Sequence, residues 1–217
     1  MTRAASALEI SIPVPESGLA PETAGIVGHI AHELRQPLST IESIAYYLGL
    51  VLQTEQPKVR RQLEKLQQLV EQSNWIVSNA VYLTQAATPA PERVDLNEIV
   101  SVSLAGAPCV ELCLAEFLPL VWLDPGQAQH LVRNLIHFFR GAAGPDRPIV
   151  VATSFTAGEV SLDLTCASAG CCESTESGLT LASVRRVVES HNGRLRIAPD
   201  SIHVGLPNFE LRVSAGA

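Results

Sequence analysis

Aromatic residues are only 5% of this 217-residue chain and charged residues only 17%, against 47% hydrophobic, with a mean hydropathy of +0.20. Such a chain is too apolar for intrinsic disorder and poor in charge for an ordinary soluble surface, so some apolar surface is expected to meet a partner. Basic residues are short as well: 15 Lys and Arg face 22 Asp and Glu, for a net charge of −7. The deficit falls on residues 1–23 and 92–217, while 24–88 is balanced. No basic stripe exists to follow a phosphate backbone, and nucleic acid is not an expected partner. No apolar run reaches the ~18 residues of a membrane span, and Glu9 and Pro13 interrupt any signal-peptide core, so a cytoplasmic chain is expected. Cys-x-x-Cys is also missing. Cys109, Cys113, Cys166, Cys171 and Cys172 are odd in number, with no His at ligand spacing beside the crowded last three. They read as reduced thiols, and no metal site is expected.

What is present begins with residues 1–23, whose Pro, Ser, Gly and Ala without periodicity read as a flexible leader. Residues 24–88 carry two heptad seams: Val27, Ala31, Leu34, Leu38, Ile41, Ala45, Leu48 and Leu52, then Val59, Leu63, Leu66, Val70, Ser73, Val77, Ala80 and Thr84. The connector around Thr54–Lys58, with Pro57 at a helix start, is short enough to make the helices an antiparallel hairpin. Ile26, Ile30, Ile44, Val51 and Ile76 widen the apolar face beyond what two helices cover for each other. A four-helix bundle made from two copies would bury the excess.

The pattern changes after the Pro-rich stretch 88–93. An extended piece leads into a helix around Asn97–Leu104, and CVELCL alternates as a strand. LDPGQAQHLVRNLIHFF is helical with Pro125 in its first turn, and IVVATSF and EVSLDLTC form a strand pair. LTLASVRRVVESHNG is a helix closed by Gly193, and RLRIA and FELRV complete the strands. The expectation for 94–217 is an α/β sandwich.

Chemistry concentrates in residues 31–38, AHELRQPL. His32 follows a seam position and should project from the bundle, where a neutral imidazole is a usable nucleophile near physiological pH. Glu33 can lean toward one ring nitrogen, fixing the tautomer while the other attacks. Pro37 lacks an N–H and clashes with the carbonyl of Glu33, so it should bend the helix beside His32. His29, one turn earlier, reads as a solvated surface residue, and His130, His137, His191 and His203 as structural. Trp75 and Trp122 read as packing residues.

AHELRQPL resembles the phosphoacceptor segment of two-component histidine kinases, His-Glu-Leu-Arg-x-Pro-Leu early in a long helix. His32, Glu33, Leu34, Arg35, Pro37 and Leu38 all match. The resemblance gives His32 the phosphoryl group and Glu33 its acid–base support. Residues 94–213 resemble the same family's ATP-binding domain, but its ligand positions are altered. Of the two asparagines four apart in the asparagine box, Asn134 stands at the first and Phe138 at the second, where a phenyl ring cannot ligate magnesium. In the Asp-x-Gly-x-Gly motif, Cys166 replaces the adenine-binding Asp, Ser168 the first Gly, and only Gly170 agrees. Seven residues separate Gly170 from Gly178, too few for the usual lid. In the last box Gly178 and Ala182 remain while Thr180 replaces a Gly that lets backbone N–H groups approach phosphate.

An intact phosphoacceptor beside broken nucleotide motifs implies a homodimeric histidine phosphotransferase. It would pass phosphoryl groups between receiver-domain aspartates of response regulators, with no cofactor and with Mg-ATP only if the altered site functions. The alternatives are a residually active histidine kinase and a non-enzymatic scaffold. Receivers are expected to dock on the first helix around Arg35, Gln36, Pro37 and Thr40. Gln36 stands where many of the family carry Thr or Asn to position a hydrolytic water, which favours transfer over phosphatase activity.

Overall fold

The computed structural model describes residues 21–52, 57–84, 89–143, 147–166, 175–198 and 200–208. The chain divides into two compact units, a helical one within 15–87 and an α/β one from Thr88 onward.

The helical unit is a hairpin of α1 (Pro21–Val51) and α2 (Pro57–Thr84). Both begin on proline, whose missing N–H costs nothing at a first helical position. Helix α1 thus takes in the last residues assigned to the leader; the rest of that segment lies outside the described residues. Its closest packing uses small side chains, with Ala31 and Ala45 buried on α1 and Val70 on α2. The seams do not close as one core within a single hairpin. Leu34 is 46% exposed, Ile41 40% and Leu66 38%, because alternate seam positions diverge from the partner helix and leave a second apolar edge.

The α/β unit layers helices on a five-stranded sheet. Its elements are β1 (Glu92–Val94), α3 (Leu96–Ser103), β2 (Val110–Cys113), β3 (Val121–Leu123), α4 (Pro125–Ala143), β4 (Ile149–Thr156), β5 (Glu159–Thr165), α5 (Thr175–Ser190), β6 (Arg194–Ile197) and β7 (Ser201–Pro207). The sheet order is β2-β4-β5-β7-β6, parallel only between β2 and β4, while β1 and β3 form a separate antiparallel pair. Alternation on β5 sends Val160, Leu162 and Leu164 into the core beside Ile202, Val204 and Leu206 of β7. Leu131, Leu135 and Phe139 of α4 and Val184, Val187 and Val188 of α5 are among the buried residues of the helical layer.

Local chemistry explains the boundaries. Asp95 caps α3, its Oδ1 accepting from the N–H of Asn97 at 2.8 Å. The Asn97 side chain donates to the Ala115 carbonyl and accepts from Thr153 Oγ1, which accepts from Ala115 N–H, so three segments share one satisfied network. The β4–β5 turn places both Ala157 and Gly158 at positive φ, the geometry that a two-residue hairpin requires.

One expectation is corrected, and two strands are added to those anticipated. The left-handed residue closing α5 is Asn192 (φ 57°), not Gly193. Gly193 is needed for space, since a Cβ there would lie 2.8 Å from the Gly205 carbonyl oxygen. The last described strand is β7, from SIHVGLP, a segment whose Gly and Pro had masked its alternation; the anticipated FELRV strand lies outside the described residues. Strand β3 was unassigned because three residues are too few for a period to register.

Candidate functional site

The phosphoacceptor candidate stands on α1. Ala31 is buried and His32, next along the helix, is exposed, as the helical turn between neighbours requires. The His32 ring has no hydrogen-bond partner among the described residues. Glu33 turns to the neighbour that the sequence reading set aside: its Oε1 lies 3.2 Å from His29 Nε2. The i,i+4 spacing of those two residues was the available signal. Arg35 faces the second helix and donates from Nη2 to Ser78 Oγ at 3.3 Å, tying α1 to α2 beside the histidine. Helix α1 continues through Pro37, and Thr40 Oγ1 donates to the carbonyl of Gln36 at 3.0 Å. Gln36 itself is exposed.

In the α/β unit, α4 is fixed at its start by Asp124. Burial opposes ionisation of this carboxyl, but N–H donors from Gln127, Ala90 and Gly126, together with His191, hold it below the ordinary carboxylate range. Its own N–H donates to His191 Nε2 at 3.0 Å, and His191 Nδ1 meets the Val187 carbonyl at 2.8 Å. His191 therefore joins the end of α5 to the start of α4. One turn into α4, burial and the Arg133 charge push His130 down to about 4, leaving a neutral ring whose Nε2 lies 2.8 Å from Ser183 Oγ.

Among the described nucleotide positions, Asn134, Phe138, Cys166 and Thr180 are interior. Asn134 is completely buried, its Nδ2 donating to the His130 carbonyl and its Oδ1 without a partner among the described residues. Phe138 is buried and packs edge-on to Phe139, with ring centroids 5.7 Å apart, so it serves the core. Cys166 is buried with a backbone bond to the Asp200 carbonyl, and Thr180 is buried on α5. Gly178 has nothing within 4 Å of where a Cβ would stand, so no close approach demands glycine there. Ser168, Gly170, Cys171 and Cys172 lie outside the described residues. Among the described residues no three His, Cys, Asp or Glu side chains converge as a metal site, and no helix is long and apolar enough to cross a membrane.

A helical hairpin exposing the histidine of AHELRQPL, followed by this α/β sandwich, resembles two-component histidine kinases, and the chain is homologous to a sensor histidine kinase. The curated relatives it matches are the sensor histidine kinase ZraS of Escherichia coli O157:H7, 27% identical over 195 residues, and its counterpart in strain K12, 26% identical. The matches cover 78% of this chain and 42% and 41% of those proteins, so the chain spans less than half of their length. Among solved structures, full-length ShkA in complex with AMPPNP superposes with a TM-score of 0.59 at 18% identity, covering 88% of this chain and 46% of that one. No family model matches the chain.

Proposed function

We propose that the chain is a dimeric histidine phosphotransferase of two-component signalling, carrying a phosphoryl group on His32 between receiver-domain aspartates. The observation that carries this reading is the contrast between the halves. On α1 the motif is complete and its histidine exposed, whereas at the nucleotide positions Phe138, Cys166 and Thr180 are core residues. An aryl ring offers a hard cation no lone pair, and a buried thiol is a poor substitute for a carboxylate accepting an adenine amino group. Dimerisation follows from the second apolar edge: Ile30, Leu34, Ile41 and Ile44 are exposed on α1, and Leu66, Leu69 and Ile76 on α2. Pairing two hairpins along these edges would make a four-helix bundle.

Receivers would dock on the hairpin around Arg35, Gln36, Pro37 and Thr40. Transfer is tested by incubating the protein with a panel of phosphorylated receiver domains and following acid-labile phosphate into His32.

A second reading is favoured by one observation. The buried Oδ1 of Asn134, without a partner among the described residues, lies at an asparagine-box position, and a ligand there would satisfy it. That reading is a residually active kinase, and it requires labelling of His32 from ATP.

A further inference from the structure

We propose that His29 is a positioning residue for phosphoryl transfer at His32, holding the Glu33 carboxylate where it can take the ring proton. The inference rests on the reading of His32 as phosphoacceptor.

Consecutive helical residues are turned by roughly 100°, so a Glu directly after a His does not face it of its own accord. Residues four apart are turned by only roughly 40° and stand one above the other. Glu33 is four after His29, and its Oε1 is held there at 3.2 Å from Nε2. His29 in turn precedes His32 by three residues, the other spacing that makes side chains neighbours on a helix. The carboxylate is thus anchored through one oxygen on the arc of α1 that carries both rings. Its second oxygen has no partner among the described residues. The nearby cation that would compete for Glu33, Arg35, is turned to Ser78 on α2. Nucleophile, proton acceptor and orienting group thus occupy neighbouring positions on one helix.

The transfer step balances without a further reactant. One His32 ring nitrogen forms the P–N bond as the P–O bond to the receiver aspartate breaks, its electron pair leaving on the aspartate carboxylate. The proton on the other ring nitrogen passes to Glu33 Oε2. His29 gives up nothing and is unchanged at the end of the step.

The test uses the full chain and one phosphorylated receiver that serves it as a donor, with single-turnover rates measured across receiver concentrations. The His29–Glu33 pair is exposed, so His29→Ala should slow transfer at saturation by roughly two- to fivefold, the scale of such a pair. The half-saturating receiver concentration should stay unchanged. His29→Gln, which keeps a donor, should recover most of the rate, and His29→Ala should cost nothing further when Glu33 is already Gln. An unchanged rate, a change confined to half-saturation, or the same loss in the Glu33→Gln background would each overturn the proposal while leaving His32 as phosphoacceptor. Absence of phosphate on His32 in the wild type would remove both readings together.

Discussion

The imidazole of His130 meets the hydroxyl of Ser183 at 2.8 Å, joining α4 to α5 through a neutral ring. An unfolded chain protonates this histidine near its ordinary 6.5, whereas the folded chain resists until about 4. Between those values the unfolded state binds more protons, so stability rises with pH across the window and falls as pH drops through it. Allowing for its partial exposure, the contribution is on the order of 1–3 kcal/mol. Urea midpoints at several pH values from 7 to 4 should fall more steeply for wild type than for His130→Gln. Parallel curves would show that His130 does not supply the slope.

Assembly gives a second prediction. Leu34 and Ile41 are exposed within one hairpin, so charging them should not disturb the fold of that hairpin but should prevent pairing. Light scattering of the wild type at micromolar concentration should give twice the 23.2 kDa chain mass, and Leu34→Lys with Ile41→Lys should give the single-chain mass. A wild-type particle of 23.2 kDa would contradict the bundle.

The nucleotide positions give a third. With Phe138, Cys166 and Thr180 in the core, calorimetry should show no Mg-ATP binding tighter than about 100 μM, roughly 5.5 kcal/mol. Restoring one ligand alone, as in Phe138→Asn, should not recover binding. It should also destabilise the domain by about 3 kcal/mol or more, since a buried aromatic is lost and an amide is left to be satisfied. Tight binding by the wild type would return the chain to the kinases.

Gln36 gives a fourth. It is exposed four residues after His32, and its side chain is longer than the Thr or Asn that the resemblance leads one to expect there. Gln36→Thr should raise receiver dephosphorylation. An equal rate would make Gln36 an ordinary surface residue.

Much of this was legible before any coordinates. Both helices of the hairpin, and Pro57 at the start of the second, follow from heptad spacing and proline chemistry, which are local properties. The burial of Asn134 and Cys166 was not legible, because it depends on which strands and helices close over them. The same holds for Gly193, whose neighbour Gly205 is twelve residues on and brought near by sheet pairing. His29 is on the surface as expected, but its pairing with Glu33 was not anticipated. An exposed histidine carries no periodic signal, and the pairing shows only with the partner four residues later.

Phosphoryl transfer to His32 is the centre of the account, and one paired assay reaches it most directly. The full chain is incubated in parallel with phosphorylated receiver domains and with labelled Mg-ATP, and acid-labile phosphate is mapped in wild type and His32→Gln. The account predicts that label from at least one receiver enters the wild type at His32, that none enters His32→Gln, and that ATP labels neither. Receiver-derived label that persists in His32→Gln, or wild-type label from ATP alone, would contradict it.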